Sequence, residues 1–218
     1  MNITRDPEIP TEIQLGVTEI EFQNEELNQI MWDELLTPME QQIENETTLE
    51  DIRNSEQIQA TKQGYKKLGK DPSRFRPSSD ALWRRVVKGK GLYQINALVD
   101  LNNYLSLKYK MPYGSYDLNN VSGDIILTKG GQGQTYKGIG KDAINIENML
   151  VLADDNGPFG SPTSDSTKAM IQDNTSHAII VAYLFGMTTE QIGTLLADTK
   201  IQAEKYLNKV SVTQQYVV

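Results

Sequence analysis

The order in which helix-like and strand-like patterns follow one another is the feature that most restricts the fold of this chain. Helix-favouring stretches dominate up to residue 109, and short β-like runs separated by glycine-rich turns follow up to residue 185. Thr188 and Gln191 then have capping-box spacing at the head of an amphipathic segment, which predicts a closing helix. Helices followed by strands and another helix favour an α/β fold, α+β-like, with a mixed central sheet over a regular βαβ repeat.

Individual segments carry this prediction. Residues 12–22 alternate between apolar and polar side chains and predict a strand with a slip or bulge near Thr18. One helix is predicted over residues 49–68, and Pro72 is expected to end it. A second helix is predicted with Ser78 or Ser79 as its N-cap, and a third over residues 95–109. The β-like runs are residues 123–128, 135–137, 148–153 and 177–185, and the glycines at 130, 131 and 133 predict a hairpin turn.

Charge is distributed unevenly along the 218 residues. Residues 1–59 hold 15 acidic and 2 basic residues, whereas residues 60–90 hold 10 basic and 2 acidic residues. The net charge of −8 argues against a general nucleic-acid binder, and no DNA partner is expected. The basic block, with Arg84, Arg85 and Lys88 on one helix, suits an anionic partner such as a tRNA acceptor stem. A solvated helix whose bases pair with the acidic N-terminal third explains the block equally well.

Several function classes are excluded or disfavoured. The absence of cysteine rules out disulfides and thiolate zinc sites. There is no phosphate-binding loop, nucleophile elbow or paired-histidine motif, so neither a metal nor another cofactor is expected. The single histidine, His177, lies in an apolar strand and is interpreted as structural. The longest apolar run, residues 178–185, is far shorter than the roughly 20 residues of a membrane helix, and a cytoplasmic protein is expected.

Two polar clusters are candidates for chemistry. Asp100, Asn102 and Asn103 interrupt an apolar helical stripe, where unpaired polar groups are costly, so they either brace a loop or line a pocket. Residues 153–166 combine glycine, proline, hydroxyl and acidic residues, which predicts an ordered, turn-rich loop. Backbone N–H groups of such a loop could hold a carbonyl oxygen or orient a water, although a plain surface loop has the same composition.

These clusters resemble the B3/B4 aminoacyl-tRNA editing domain of the phenylalanyl-tRNA synthetase β subunit. Residues 99–107, Val-Asp-Leu-Asn-Asn-Tyr-Leu-Ser-Leu, and residues 112–117, Pro-Tyr-Gly-Ser-Tyr-Asp, resemble the family's Val-Asp-x-Thr-Asn-Tyr-Val helix and its Pro-Leu-His-Ala-Phe-Asp run at the same spacing. Residues 123–127, 136–140 and 151–154 follow in the family's order. The resemblance implies one domain, in which an N-terminal strand and helical extension (1–77) precede the family core (78–186) and a C-terminal helix and tail (187–218).

In the synthetase, this domain hydrolyses the ester that links a wrong amino acid, typically tyrosine, to tRNA. The resemblance therefore implies a free-standing, metal-independent deacylase that acts in trans on aminoacylated tRNA. By position, the catalytic residues would be Asn103, Ser164 and Asp165. The residues that would bind the aminoacyl group are Asn102, Gly114, Ser115, Gly138, Gly140, Ser161 and Thr163. Arg84, Arg85 and Lys88 would contact the RNA.

The chain departs from the family pattern at two positions. Gly114 stands where the family has histidine, and the segment from Gly160 to Asp165 stands where a Gly-Gly-Glu sequence contributes a carboxylate. One hypothesis is that Asp165 and the neighbouring hydroxyls take over, since positioning alone can accelerate hydrolysis of a labile ester. The alternative is a non-catalytic module that binds an amino acid-sized ligand or tRNA. A third possibility is a structural role in which the acidic N-terminal third docks on a basic partner.

Overall fold

Two four-stranded sheets, a short ribbon and seven helices form the fold, described for residues 1–218 in a computed structural model. The strands are β1 (Ile3–Arg5), β2 (Ile13–Gln23), β3 (Tyr113–Asp117), β4 (Ile125–Lys129), β5 (Thr135–Tyr136), β6 (Ile144–Asn145), β7 (Leu150–Asp154), β8 (Gly157–Gly160), β9 (His177–Phe185) and β10 (Asn208–Val217). The helices are α1 (Gln29–Met31), α2 (Thr37–Glu46), α3 (Leu49–Asn54), α4 (Glu56–Lys67), α5 (Ser78–Val87), α6 (Ala97–Tyr109) and α7 (Thr189–Tyr206). A π-helical segment, Trp32–Leu36, joins α1 to α2.

The two sheets confirm the predicted mixed α/β fold. The first has the order β10-β2-β9-β3 and is antiparallel throughout. The second has the order β1-β4-β7-β8, in which β1 and β4 run parallel and the other pairs antiparallel. The strands are thus divided between two sheets, and β5 and β6 form a separate ribbon.

Strand β9 lies inside the first sheet and is buried along its whole length after His177. Helix α4 packs against β9, α6 against β3, and α7 against β2 and β10. A strand that is covered on both faces needs apolar side chains at every position, which explains the continuous apolar run that follows His177.

The predicted slip near Thr18 is wrong for β2. Its register with β9 is unbroken from Ile13 opposite Phe185 to Glu21 opposite His177, and the irregularities lie in β10 instead. The apolar pattern changes phase because β2 buries both faces. A Cβ on Gly16 would touch Leu196 of α7, so the even-numbered residues face that helix.

Several predicted boundaries need correction. The helix predicted over residues 49–68 is two helices separated at Ser55, and α4 ends before Gly69, whose φ is +85°, so Pro72 is not its terminator. Pro77 occupies the N-cap of α5, and neither Ser78 nor Ser79 caps the helix with its side chain. The helix predicted from residue 95 begins at Ala97 and is capped by the side chain of Asn96.

The sequence pattern correctly predicts the start of α7 but not the structure that follows its end. Thr188 and Gln191 form the predicted capping box. After α7, the predicted tail is strand β10, which completes the first sheet beside β2. The turn at residues 130–133 connects β4 to β5, which do not pair with each other, so it is not a hairpin turn.

A cluster of 40 buried apolar residues, drawn from positions between Ile3 and Leu207, fills the interior. None of the helices combines the length and the apolar character needed to span a bilayer.

Candidate functional site

A cleft of about 990 Å³ is lined by α5, α6, β3, the segment before α6, the loop between β5 and β6, and two loops that follow β8. Its walls bring together the two polar clusters that the sequence singles out. The lining residues are Ser78, Ala81, Leu82, Ile95, Asn96, Val99, Asn102, Asn103, Tyr113, Gly114, Ser115, Ile139, Thr163, Asp165, Met170, Ile171, Gln172, Asp173 and Asn174. About 60 residues of sequence separate the asparagine pair from Asp165, yet both face the same space.

Helix α6 supplies one polar wall. Asn102 is buried, and its Nδ2 donates a hydrogen bond to the Oγ of Ser115 on β3 at 2.6 Å. The Oδ1 of Asn102 has no partner within the protein, although it too is buried. The Oγ of Ser78, across the cleft on α5, is likewise buried and unpaired. An unpaired buried polar atom costs about 1–3 kcal/mol, so two of them in one cleft favour a polar ligand.

Asp100 has a different role from its neighbours. Its Oδ2 accepts a hydrogen bond from the Nε1 of Trp32 at 2.7 Å, and its Oδ1 accepts one from the backbone N–H of Ile95 at 3.0 Å. Burial raises the pKa of the Asp100 carboxyl, whereas these two hydrogen bonds oppose the rise. The two explanations offered for the polar cluster therefore both apply, since Asp100 braces the structure while Asn102 and Asn103 line the cleft.

The loop after β8 is ordered by Ser161. Its Oγ donates to the carbonyl of Ser164 at 2.8 Å and accepts hydrogen bonds from the backbone N–H groups of Thr163 and Ser164. Thr163 lines the cleft, and its Oγ1 lies 2.6 Å from the hydroxyl of Tyr65 on α4. The predicted turn-rich loop is therefore present, but it is shorter than expected because residues 157–160 form β8.

Asp165 is the carboxylate on this wall. Its Oδ1 accepts hydrogen bonds from the Tyr116 hydroxyl at 2.8 Å and from the backbone N–H of Ser161 at 2.9 Å, whereas its Oδ2 accepts none from the protein. Tyr183 continues the network, with its hydroxyl 2.6 Å from that of Tyr116. Burial raises the pKa of Asp165 to about 6, and the two hydrogen bonds limit the rise. A carboxyl with this pKa can accept and return a proton near neutral pH.

Tyr116 and Tyr183 are functional candidates that sequence reasoning misses. The ring of Tyr116 fills the space beside two glycines, because a Cβ on Gly114 would lie 2.4 Å from its hydroxyl and a Cβ on Gly160 would lie 2.5 Å from its Cζ. Any side chain at position 114 would collide with this tyrosine. The sequence signal for this pairing lies in residues 112–117, where Tyr116 replaces the family's phenylalanine and Gly114 replaces its histidine.

Four of the predicted site residues do not line the cleft. Ser161 is buried behind it, and the Oγ of Ser164 lies near Lys141 on the outer side of the loop. Gly138 and Gly140 also lie outside the lining, although Ile139 between them contributes to it. Asn102, Asn103, Gly114, Ser115, Thr163 and Asp165 do line it.

The three predicted RNA contacts differ in their surroundings. Arg84 donates to the buried carboxylate of Asp80 at 2.6 Å, and Lys62 and Arg76 also lie within ion-pair distance of Asp80. Only Lys67 of the basic block pairs with the acidic N-terminal third, through Glu12. Pairing with the acidic N-terminal third therefore accounts for only one residue of the basic block.

Arg85 and Lys88 pair with no carboxylate, and neither lines the cleft. Arg85 follows the cleft-lining residue Ser78 by seven positions, which is two helical turns, so it lies on the same stripe of α5. Its Nε donates to the carbonyl of Gly91 at 2.6 Å, and its guanidinium stacks over the ring of Tyr93. Lys88 is exposed.

No imidazole lines the cleft. The ring of His177 lies at the start of β9, with its Nε2 2.7 Å from the Oε1 of Glu19 on β2. No three histidine, cysteine, aspartate or glutamate side chains cluster closely enough to hold a metal ion.

Comparison with known proteins extends the resemblance beyond the polar clusters. The β subunit of phenylalanine–tRNA ligase from Neisseria meningitidis serogroup B is 27% identical over 104 residues, which cover 47% of this chain and 13% of that subunit. The same subunit from Cutibacterium acnes is 35% identical over 71 residues, 32% of this chain and 8% of the subunit. This chain thus spans a small part of these relatives.

A structural match has a TM-score of 0.44 at 10% identity and covers 99% of this chain and 50% of an N-terminal fragment of the phenylalanyl-tRNA synthetase β-subunit from Pyrococcus horikoshii. The family model described as the B3/4 domain matches residues 60–211. Since that match covers well over half of the 218 residues, the chain belongs to the B3/4 domain family.

Proposed function

We propose that this protein is an aminoacyl-tRNA deacylase that acts in trans and hydrolyses the ester of misacylated tRNA. The observation that carries the proposal is the meeting of Asn102 and Asn103 with Thr163 and Asp165 in one cleft. Its volume, about 990 Å³, is within the range of small-molecule sites and can hold an aminoacyl group with its terminal ribose. The proposed substrate implies tRNA as the partner and the cytoplasm as the location.

The polar atoms of the cleft suit an aminoacyl ester. The Oδ1 of Asn102 and the Oδ2 of Asp165 accept no hydrogen bond from the protein, and an α-ammonium group has three N–H donors to offer such acceptors. Leu82, Ile95 and Val99 supply apolar surface for an amino-acid side chain. The cleft therefore combines polar anchoring with an apolar wall, as small-molecule sites generally do.

Hydrolysis needs a base that takes a proton from the attacking water and an acid that gives a proton to the leaving oxygen. In the proposed step, the Asp165 carboxylate takes a proton from a water whose oxygen bonds to the ester carbonyl carbon. The bond from that carbon to the ribose oxygen then breaks, and protonated Asp165 gives the proton to the departing ribose oxygen, which leaves as a free hydroxyl. With a pKa of about 6, Asp165 is about nine-tenths ionised at pH 7 and serves as the base.

A panel of mischarged tRNAs incubated with the purified protein tests this function. We expect faster deacylation of at least one species than in buffer, and loss of that acceleration in Asp165→Asn, which keeps the shape of the side chain but cannot accept the proton. Asp173→Asn is the matched control, since Asp173 is an exposed carboxylate that also lines the cleft. If no species is deacylated faster than in buffer, the deacylase proposal is wrong.

A non-catalytic module that binds an amino acid-sized ligand is the second candidate. It is favoured by the absence of an imidazole from the cleft and by the tyrosine ring that leaves no space for one at position 114. Calorimetric titration with free amino acids and with a hydrolysis-resistant aminoacyl-adenosine amide separates the two. Binding of these ligands without deacylation of any tRNA would support the module.

A further inference from the structure

We infer that Tyr93, at the rim of the cleft, is a stacking platform for the unpaired 3′-terminal nucleotides of an RNA. The inference rests on the proposed function and adds to it a way of holding the nucleic acid that the basic residues alone do not provide. The platform consists of the exposed ring of Tyr93, the guanidinium of Arg85 beneath it, and the segment between α5 and α6 that carries the ring.

Tyr93 is 62% exposed and is the only aromatic residue among the exposed large hydrophobic side chains of the chain. The guanidinium carbon of Arg85 lies 3.8 Å from the centre of its ring and covers one face, so we assign the exposed surface of the ring to the other face and the edge. An exposed ring that is backed by a cation is the arrangement on which nucleobases stack in proteins that bind single-stranded RNA.

The segment that carries Tyr93 is held in place although it has no regular secondary structure. Arg85 donates to the carbonyls of Lys90 and Gly91, and the side chain of Glu40 accepts from the backbone N–H of Leu92. At the other end, Asp100 accepts from the backbone N–H of Ile95. The ring is therefore presented by a pinned backbone, so little conformational entropy is lost when a base stacks on it.

The platform lies next to the cleft along the chain. Ile95 lines the cleft and follows Tyr93 by two residues, which limits their separation to about 7 Å of backbone. Lys88 and Lys90 are exposed beside it and offer positive charge to a phosphate backbone. A nucleotide stacked on Tyr93 would thus place the next ribose, with its esterified amino acid, at the mouth of the cleft.

This geometry selects an unpaired end rather than a duplex. A base inside a helix has both faces covered by its neighbours and cannot stack on a protein ring, whereas an unpaired terminal base has a free face. The expected ligand is therefore an RNA stem with a single-stranded 3′ tail, such as the Cyt-Cyt-Ade end that all tRNAs share.

Tryptophan fluorescence provides the test. Trp32 and Trp83 are buried, so Tyr93→Trp adds an exposed reporter on the platform itself. An RNA minihelix with an unpaired Cyt-Cyt-Ade tail should quench this signal, and the same minihelix without the tail should not. In anisotropy titrations with the tailed minihelix, Tyr93→Ala should weaken binding by roughly ten-fold or more, and Tyr93→Phe should bind like the wild type. Ile201→Ala, an exposed apolar truncation on α7, is the matched control and should have no effect.

The outcomes separate this inference from the proposed function. Equal binding of tailed and blunt minihelices, or wild-type affinity in Tyr93→Ala, overturns the platform even if the deacylation panel is positive. Tail-dependent quenching with no deacylation of any tRNA supports the platform and leaves the chain as an RNA-binding module.

Discussion

Substitution of Asp165 by asparagine should make the protein more stable at neutral pH while abolishing its proposed activity. Burial raises the pKa of this carboxyl to about 6 from an ordinary value of 3.8. A difference of about two pKa units corresponds to about 3 kcal/mol, by which the ionised carboxylate destabilises the native state. Asparagine keeps an oxygen for the Tyr116 hydroxyl and the Ser161 N–H but carries no charge.

The direction of the pH dependence follows from the raised pKa. Below the unfolded-state pKa of 3.8, Asp165 is protonated in both states, and its contribution to the stability of the native state is fully present. Between 3.8 and about 6, the native state holds the proton that the unfolded chain has released, so the contribution falls as pH rises. Above the native-state pKa the contribution is lost, and the wild type is at its greatest disadvantage relative to Asp165→Asn.

Urea denaturation followed by the fluorescence of the two buried tryptophans measures this difference. The stability of Asp165→Asn minus that of the wild type should grow by about 1–2 kcal/mol between about pH 5 and about pH 8, which is the part of the titration in that window. Taking the difference cancels the carboxylates whose native pKa values are lowered, such as Asp154 and Asp198, and whose contributions are lost as pH falls. Carbon-13 NMR of labelled aspartate can follow the Asp165 carboxyl directly.

A stability difference that does not change with pH would refute the reasoning, as would an NMR titration of Asp165 near its ordinary value. Either result would mean that the carboxyl is hydrated in solution. It could then still orient a substrate, but it would not be tuned as a base for neutral pH. Asp142→Asn, at an exposed position, shows how much pH dependence follows from removing any carboxylate.

Three further substitutions test other parts of the structure. Gly160→Ala should lower the free energy of unfolding by about 1–3 kcal/mol, because the new Cβ would meet the Tyr116 ring at 2.5 Å; unchanged urea denaturation would contradict this. Trp32→Phe removes a donor from the buried Asp100 and should cost about 1–3 kcal/mol in the same assay, with wild-type stability as the contrary result. Thr188→Ala removes the N-cap of α7 and should cost about 1 kcal/mol, seen as a lower midpoint in thermal circular dichroism, whereas Thr188→Ser should retain most of the stability.

Much of the candidate site could be predicted because its residues lie in two short runs. Asn102 and Asn103 lie in a helix that the apolar stripe predicts, and the loop containing Thr163 and Asp165 has the composition of an ordered turn. The capping box at Thr188 is similarly local, since the partners in the hydrogen bonds lie within three residues. Local patterns are nevertheless not sufficient everywhere, since they mispredict the N-cap of α5 and the turn at residues 130–133.

The remaining features depend on partners distant in sequence. Asp100 is indistinguishable from Asn102 in the pattern of the helix, and only the position of Trp32, 68 residues earlier, assigns it to bracing. The link from Tyr116 to Asp165 likewise exists only after β3 and the loop have met. The sequence pattern does not predict strand β10, because an edge strand with mostly polar side chains shows only a weak alternation of apolar residues.

The pairing of β2 has a consequence for how the protein folds. Residues 13–21 form an apolar strand, but the residues that hydrogen-bond to them, 177–185 and 208–217, lie far later in the chain. Until those residues are in place, both edges of the strand have unpaired N–H and C=O groups and its apolar side chains are uncovered. Such long-range pairing slows folding and leaves partly folded chains exposed to aggregation.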